Sequence, residues 1–260
     1  MPAVSVIIPC YNQGQYLAES IGSVLASDFD DLEIIVVDDG SSAPETCRIL
    51  ECLNYPKTTL IRRQNGGLST ARNTGIAAAQ GRYILPLDAD DRIGPNYIGQ
   101  SVAALDADPK LGIVYCLGEK FGDAVGAIQA ASFSLPRMRF SNLIFCSALF
   151  RKEDWEKVGG YKPEMRYGCE DWEFWISLLE LGRTVLRLQL VGFMYRIRHE
   201  SMNALMDRQK RQAMHRLIVT LHPSLFRWWF SLILPVYYCV INSALYRILK
   251  RWGFQGKILS

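Results

Sequence analysis

Asp88-Ala89-Asp90, directly after the apolar run Arg82 to Leu87, is the sharpest local signal for chemistry in this 260-residue chain. Two carboxylates separated by one residue on an extended segment face the same side, so both can serve one ligand. Oxygen ligands of this kind suit Mg²⁺ or Mn²⁺ held between protein and diphosphate oxygens rather than in an all-protein cage. A D-x-D triplet alone is a common acidic turn, and its position after a strand gives it weight. Asp38-Asp39-Gly40-Ser41 follows a second apolar run. One carboxylate there can accept hydrogen bonds from a base or ribose, while Gly40 permits a tight turn. The plainer account is an Asx-type turn capping the next helix.

The elements that position these groups alternate. Strand-like runs fall at Val4–Pro9, Leu32–Val37, Thr58–Arg62 and Arg82–Leu87, separated by helical segments near 15–26, 43–53 and 69–80, the last expected to be capped by Ser69. Continuous apolar strands alternating with helices imply an α/β fold with a mainly parallel central sheet covered on both faces. Ligands bind such sheets beyond the carboxyl ends of the strands. Those ends carry Tyr11-Asn12, Asp38-Asp39, Asn65-Gly66-Gly67 and Asp88-Ala89-Asp90. The second half is less regular, with strands expected at 112–117, 146–150 and 184–198 and an aromatic-rich helix at 170–181.

Four blocks carry a family resemblance. Val4-Ser5-Val6-Ile7-Ile8-Pro9-Cys10-Tyr11-Asn12, Ile35-Val36-Val37-Asp38-Asp39-Gly40-Ser41-Ser42, Asn65-Gly66-Gly67-Leu68-Ser69-Thr70-Ala71-Arg72-Asn73-Thr74-Gly75 and Leu87-Asp88-Ala89-Asp90-Asp91 resemble, in order and spacing, the family 2 glycosyltransferases of the GT-A fold. The likeness continues through Gly168-Cys169-Glu170-Asp171-Trp172-Glu173 and, more loosely, Tyr195 to Ser201; it does not extend over the tail. It implies an inverting, metal-dependent transfer from a nucleotide-diphosphate sugar, with a bias to UDP-sugars, to a saccharide or lipid-linked acceptor. Pro9, Tyr11, Asp38, Asp39, Asn65, Gly67, Asp88 and Ala89 would line the nucleotide-sugar pocket with Arg72 in support. Asp90, Asp88 and His199 would hold Mn²⁺ or Mg²⁺, although a lone histidine before a polar loop is usually just exposed.

The resemblance also makes Asp171 the base that takes the acceptor proton, with Glu170 the neighbouring candidate. Consecutive helical residues diverge, so only one of them aims at the acceptor. The plain alternative is an acidic first turn favoured by the helix dipole, which would keep the base's pKa low. Trp172 could be a platform for an acceptor sugar, whereas Trp175 is expected in the core. Two rivals stand beside this reading. A sugar-phosphate nucleotidyltransferase would be expected to carry a glycine-rich basic loop after the first strand, which Pro9 to Gly14 is not. A silent nucleotide-sugar binder would be expected to lose the metal or base carboxylates, which are present.

Composition sets the remaining bounds. A chain that is 49% hydrophobic and 21% charged can bury a sizeable core, and a net charge of +3 implies no nucleic-acid partner. Charge is uneven: from Asp207 onward nine lysines and arginines face one acid, so the tail carries +8 and the remainder −5. The expected organisation is a catalytic domain over 1–206, with a nucleotide-sugar half over 1–110 and an acceptor side over 111–206, followed by a basic, apolar helical tail over 207–260. Trp228 to Tyr246 holds no charged residue and is bordered by arginines. An interfacial helix on an anionic membrane surface ranks first for it, packing on protein second, and a true span third. The seven cysteines form no C-x-x-C pair and indicate neither a zinc site nor a disulfide framework, so they are expected to be buried fillers. An apolar strand starts almost at the first residue, so the expectation is a cytoplasmic protein, peripheral on the cytoplasmic face of a membrane if the tail docks there.

Overall fold

The computed structural model describes residues 1–128, 132–198 and 206–226. His199 and Trp228 to Tyr246 lie outside the described residues. Packing divides the chain into two units, Met1–Ile218 and Val219–Ser260, and the sheet belongs entirely to the first.

The opening strands are β1 (Val4–Cys10), β2 (Leu32–Asp38), β3 (Thr58–Arg62) and β4 (Tyr83–Pro86). They pair in parallel in the order β3-β2-β1-β4. Every residue of β1 and all but one of β2 are buried, which is why both read as unbroken apolar runs rather than alternating ones. The connecting helices are α1 (Gly14–Leu25), α2 (Pro44–Glu51) and α3 (Leu68–Ala78). Helix α3 comes very close to the sheet at Gly75, where an added Cβ would stand 2.5 Å from Ile7 Cγ2. Ser69 does not cap this helix. The N-cap is Gly67, at φ +86°, and Ser69 is buried in the first turn.

Beyond β4 the sheet is mixed. Strand β5 (Arg92–Ile93) and helix α4 (Tyr97–Ala107) are followed by β6 (Leu111–Gly122), β7 (Gly126–Ala127), α5 (Leu135–Met138), β8 (Leu149–Arg151), α6 (Lys152–Val158), α7 (Glu170–Glu180) and β9 (Thr184–Ile197). The order continues β4-β8-β6-β9-β5, with β8 antiparallel to both neighbours, β9 parallel to β6, and β5 antiparallel to β9. Helix α8 (Arg208–Leu221) follows, with Met214, His215 and Ile218 buried. Helices α4 and α6 went unpredicted, and β8 is shorter than the expected 146–150 strand.

Topology places the polar loops. The chain steps from β1 to β2 to β3 and then returns across β1 to β4, so the winding reverses at β1 and a crevice opens at the carboxyl ends on either side of it. Antiparallel pairing of β8 with β4 then brings the residues leading into β8 to the carboxyl end of β4. The β5–β9 pairing brings the end of β9 to the same place.

Candidate active site

Asp88 to Asp91 form a turn, closed by Asp91 N–H donating to the Asp88 carbonyl at 3.0 Å. The alternation expected of an extended D-x-D therefore does not apply, and the three carboxylates go to three different surroundings. Asp88 accepts a hydrogen bond from Arg72 at 2.7 Å. Asp90 pairs with Arg198 at 2.6 Å. Asp91, only 1% exposed, accepts from the Arg196 backbone N–H at 2.8 Å through one oxygen, while its other oxygen has no partner among the described residues. Burial and the neighbouring Asp88 raise the pKa of both Asp90 and Asp91, with Arg198 working against the rise at Asp90. Asp88 and Asp90 are thus ion-paired, and Asp91 alone of the three has no salt bridge among the described residues.

Cys146 lies beside the acidic turn. Its Sγ lies 3.6 Å from Asp88 Oδ2, and one ligand atom from each of Asp88, Asp91 and Cys146 falls within 4.8 Å of the others. This set differs from the expected Asp88, Asp90 and His199: here Asp90 turns to Arg198, and His199 is not among the described residues. Neither Cys146 nor Arg198 was assigned a role from the sequence. Arg198 lay in a block recognised only loosely, and the approach of Cys146 depends on the β4–β8 pairing.

On the other side of β1, Asp39 is 3% exposed and accepts hydrogen bonds from Gly67 N–H at 2.8 Å and Gly66 N–H at 3.1 Å, and it pairs closely with Arg63. Its carboxylate thus pins the Asn65-Gly66-Gly67 loop to the end of β2. Asp38 accepts from Ser41 N–H, three residues on, at 2.9 Å and does not cap α2, whose N-cap is Ala43. Asn12, held at φ +54°, accepts from the N–H groups of Ser42 and Ala43, both at 2.8 Å, and so serves the N-terminus of α2. Pro9 is buried in β1, Tyr11 is 50% exposed at the rim, and Asn65 is exposed. The carboxyl ends of β1 and β2 therefore carry an apolar floor, an aromatic edge and a loop held by Asp39.

Arg72 is fully buried and stands between the two halves of the site rather than under the nucleotide pocket alone. One terminal nitrogen donates to Asp88, the other to Glu170 at 2.6 Å, and its guanidinium lies 5.5 Å from the Tyr161 ring centre. Burial works against its charge, but Asp88 and Glu170 more than compensate, and its pKa is well above the ordinary value.

Glu170 and Asp171 open α7 after a left-handed step, Gly168 at φ +106° and Cys169 at φ +67°. Glu170 is 5% exposed and held by Arg72. Asp171 is half-buried; its Oδ1 accepts from Trp172 N–H at 2.7 Å and its Oδ2 from Asn142 Nδ2 at 2.9 Å. Burial first, and then the charge of Glu170, push the Asp171 carboxyl up to about 7. The expected lowering by the helix dipole is outweighed, because desolvation of a carboxylate is the larger effect here. Trp172 is 6% exposed, donates its indole N–H to the Met138 carbonyl at 2.7 Å and stacks on His215, so it is an interior residue and not an open platform for a sugar. Trp175 is in the core, as expected.

The family model for glycosyl transferase family 2 matches residues 5–161, and a model described as the N-terminal domain of galactosyltransferase matches residues 128–200. Among curated relatives, Escherichia coli chondroitin synthase is 28% identical over 189 residues, covering 70% of this chain and 27% of that protein. Streptococcus pneumoniae glycosyltransferase GlyG is 32% identical over 146 residues, covering 54% of this chain and 48% of its own length. The chain thus spans less than half of either relative. The crystal structure of S. aureus TarS 1–349 in complex with UDP-GlcNAc superposes with a TM-score of 0.70 at 22% identity, covering 85% of this chain and 66% of that one. A matched segment from the first strand past the acidic turn, on a sheet with this winding, places the chain in glycosyl transferase family 2 with a GT-A fold.

Proposed function

We propose that the chain is an inverting, metal-dependent glycosyltransferase that moves a sugar from a nucleotide-diphosphate donor, with UDP-sugars favoured, to a hydroxyl of a saccharide or lipid-linked glycan. The observation that supports this above all is the division of labour at the start of α7. Arg72 neutralises Glu170, while the adjacent Asp171 titrates near neutrality with hydrogen-bond capacity to spare. A base with a pKa near the working pH combines sufficient ionisation with enough basicity to accept a proton in the transition state. Asp171 takes the acceptor proton as the hydroxyl oxygen bonds to the anomeric carbon; the bond from that carbon to the diphosphate oxygen breaks, and the configuration inverts. The UDP-GlcNAc complex of TarS and the polysaccharide named for chondroitin synthase support a UDP-sugar donor and a saccharide acceptor.

The acidic turn fits a divalent cation: three carboxylates gather at the carboxyl end of β4, and one oxygen of Asp91 is buried with no partner among the described residues. Asp88 and Asp91 would hold it, with Asp90 available once released from Arg198 and His199 as a further candidate. Mn²⁺ or Mg²⁺ there would neutralise charge developing on the departing diphosphate. Arg72, by anchoring Asp88 and Glu170 together, keeps the donor end and the base end in register. Asp39 and the loop it pins, with Pro9 and Tyr11, would receive base and ribose.

The organisation proposed with this is a catalytic region over 1–206, whose 1–110 half holds donor and 111–206 half presents the base, and a basic tail over 207–260 for an anionic membrane surface. No helix among the described residues is long and apolar enough to cross a membrane. The test is donor turnover by wild type, Asp171→Asn and Glu170→Gln against a panel of nucleotide sugars, with Mn²⁺ and with chelator. Transfer that needs Mn²⁺ and Asp171 supports the proposal. Donor binding with neither transfer nor hydrolysis would instead make the chain a binder.

A further inference from the structure

The carboxylate of Asp171 is not oriented by its own helix alone. Asn142, 29 residues earlier in the chain, donates from Nδ2 to Asp171 Oδ2 at 2.9 Å. Its other side-chain atom is also committed, since Asn142 Oδ1 accepts from the Ile144 backbone N–H at 3.2 Å. That second bond decides which way the amide points: the oxygen is held by a backbone donor, so the NH₂ must face the carboxylate. An asparagine amide does both at once, accepting from the backbone N–H through oxygen and donating to the carboxylate through nitrogen. The segment carrying Asn142 is itself clasped. Trp172 Nε1 donates to the Met138 carbonyl at 2.7 Å, and His215 Nε2 meets the Arg139 carbonyl at 2.9 Å. Ile144, 2% exposed, anchors the far side. The residue next to Asp171 and helix α8 therefore hold in place the strip of chain that presents the amide.

We propose that Asn142 is a positioning residue for Asp171: its amide fixes the carboxylate's orientation and stabilises its ionised form, ready to receive the acceptor proton. This rests on Asp171 being the base. With Asn142 on Oδ2 and the Trp172 N–H on Oδ1, each oxygen has one donor and keeps a free lone pair for the incoming hydroxyl. Among the described residues, the charged and titratable groups that act on Asp171 are Glu170 on its own helix, Arg72 on α3, Asp88 after β4, Cys146 before β8, Tyr161 after α6, and Cys169 at the N-cap. Of these only Arg72 favours the ionised carboxylate, and Arg72 is already shared between Glu170 and Asp88. The neutral donor from Asn142 is thus one of few influences that keep Asp171 from remaining protonated.

The test follows the Asp171 carboxyl itself, so it needs no substrate. The full chain, labelled with ¹³C at aspartate carboxyls and free of donor and metal, is titrated by NMR from pH 4 to 10, and Asp171→Asn identifies the resonance. Wild type should titrate near 7. In Asn142→Ala the midpoint should rise by about one unit, the scale of a lost hydrogen bond to a charged group. Asn142→Asp, isosteric and so carrying the test if the alanine variant does not fold, should raise it further by placing a like charge against Oδ2. A midpoint unmoved or lowered in both variants overturns the proposal, even if both are less stable, because a merely structural role would shift melting temperature and not this titration. Failure of the base assignment would show separately, as full transfer by Asp171→Asn whatever the Asn142 variants do.

Discussion

Arg72 reaches Glu170 across 98 residues of sequence with a 2.6 Å charge-assisted hydrogen bond, and both side chains are buried. Glu170 is thus held by a fixed cation, whereas the adjacent Asp171 accepts from the Asn142 amide and the Trp172 backbone N–H. The pairing gives the two acids at the start of α7 different surroundings. Under the proposed function, Glu170 is a structural counter-ion and Asp171 the group that exchanges a proton.

Substitution should separate these roles. Asp171→Asn is expected to keep donor affinity, read by calorimetry with UDP, and to lose transfer by roughly 10²-fold or more, the usual scale for removal of a general base. Glu170→Gln removes a charge that raises the Asp171 carboxyl, so the acid limb of its kcat/KM profile should move to lower pH. An unmoved limb in Glu170→Gln would mean that the two carboxyls do not interact as this geometry implies.

Arg72→Met should be far more damaging to stability than to surface charge balance. It leaves Glu170 and Asp88 without their shared cation, one of them almost fully buried. Removing one partner of a buried ion pair costs about 3–5 kcal/mol. Urea denaturation of the variant checks this, and a loss below about 1 kcal/mol, the scale of exposed pairs, would contradict it.

Stability should depend on pH through Asp171 with a definite sign. Its carboxyl titrates near 7 when folded against an ordinary value of 3.8. Between these values the folded chain holds a proton that the unfolded chain has released, so stability falls as pH rises through that window and levels off above it. The total is at most about 4 kcal/mol. Asp171→Asn should flatten this part of the curve and melt at higher temperature than wild type at pH 8. A wild-type melting temperature that does not decline from pH 5 to pH 8 relative to the variant would refute the shifted carboxyl.

Mn²⁺ should raise the melting temperature of the wild-type chain, and Asp88→Asn and Asp91→Asn should abolish the rise. A ligand at one hundred times its dissociation constant stabilises by about 2.7 kcal/mol. Asp90→Asn distinguishes two arrangements: it removes the effect if Asp90 leaves Arg198 for the cation, and spares it if the ion pair persists. Equal Mn²⁺ shifts in wild type and all three variants would place the cation elsewhere or nowhere.

Gly75→Ala tests the frame that carries the site. The added methyl would meet Ile7 Cγ2 at 2.5 Å and Val37 Cγ2 at 2.9 Å, so α3 must lift from β1 and β2. Overpacking of this kind costs about 1–3 kcal/mol. Because Arg72 rides on the same helix, transfer should fall along with stability, measured by thermal melting and turnover on the same preparation.

Periodicity and composition sufficed for the parallel half of the sheet, since β1, β2 and β4 are buried on both faces and only apolar residues satisfy that environment. The same property placed the polar loops together, because parallel strands deliver their carboxyl-end loops to one edge. Local pattern was weaker where pairing is antiparallel: β8 has only three residues, and its neighbours in the sheet are far away in the chain. The acidic turn was visible in the sequence as Asp88 to Asp91, but which carboxylate meets Arg72, Arg198 or Cys146 was decided by backbone geometry that i, i+2 spacing does not encode. Asn142 and Arg72 show the limit most plainly. Each meets a group tens of residues away, and contacts of that range exist only once the sheet has closed, so tertiary structure alone gave Glu170 its cation and Asp171 its amide donor.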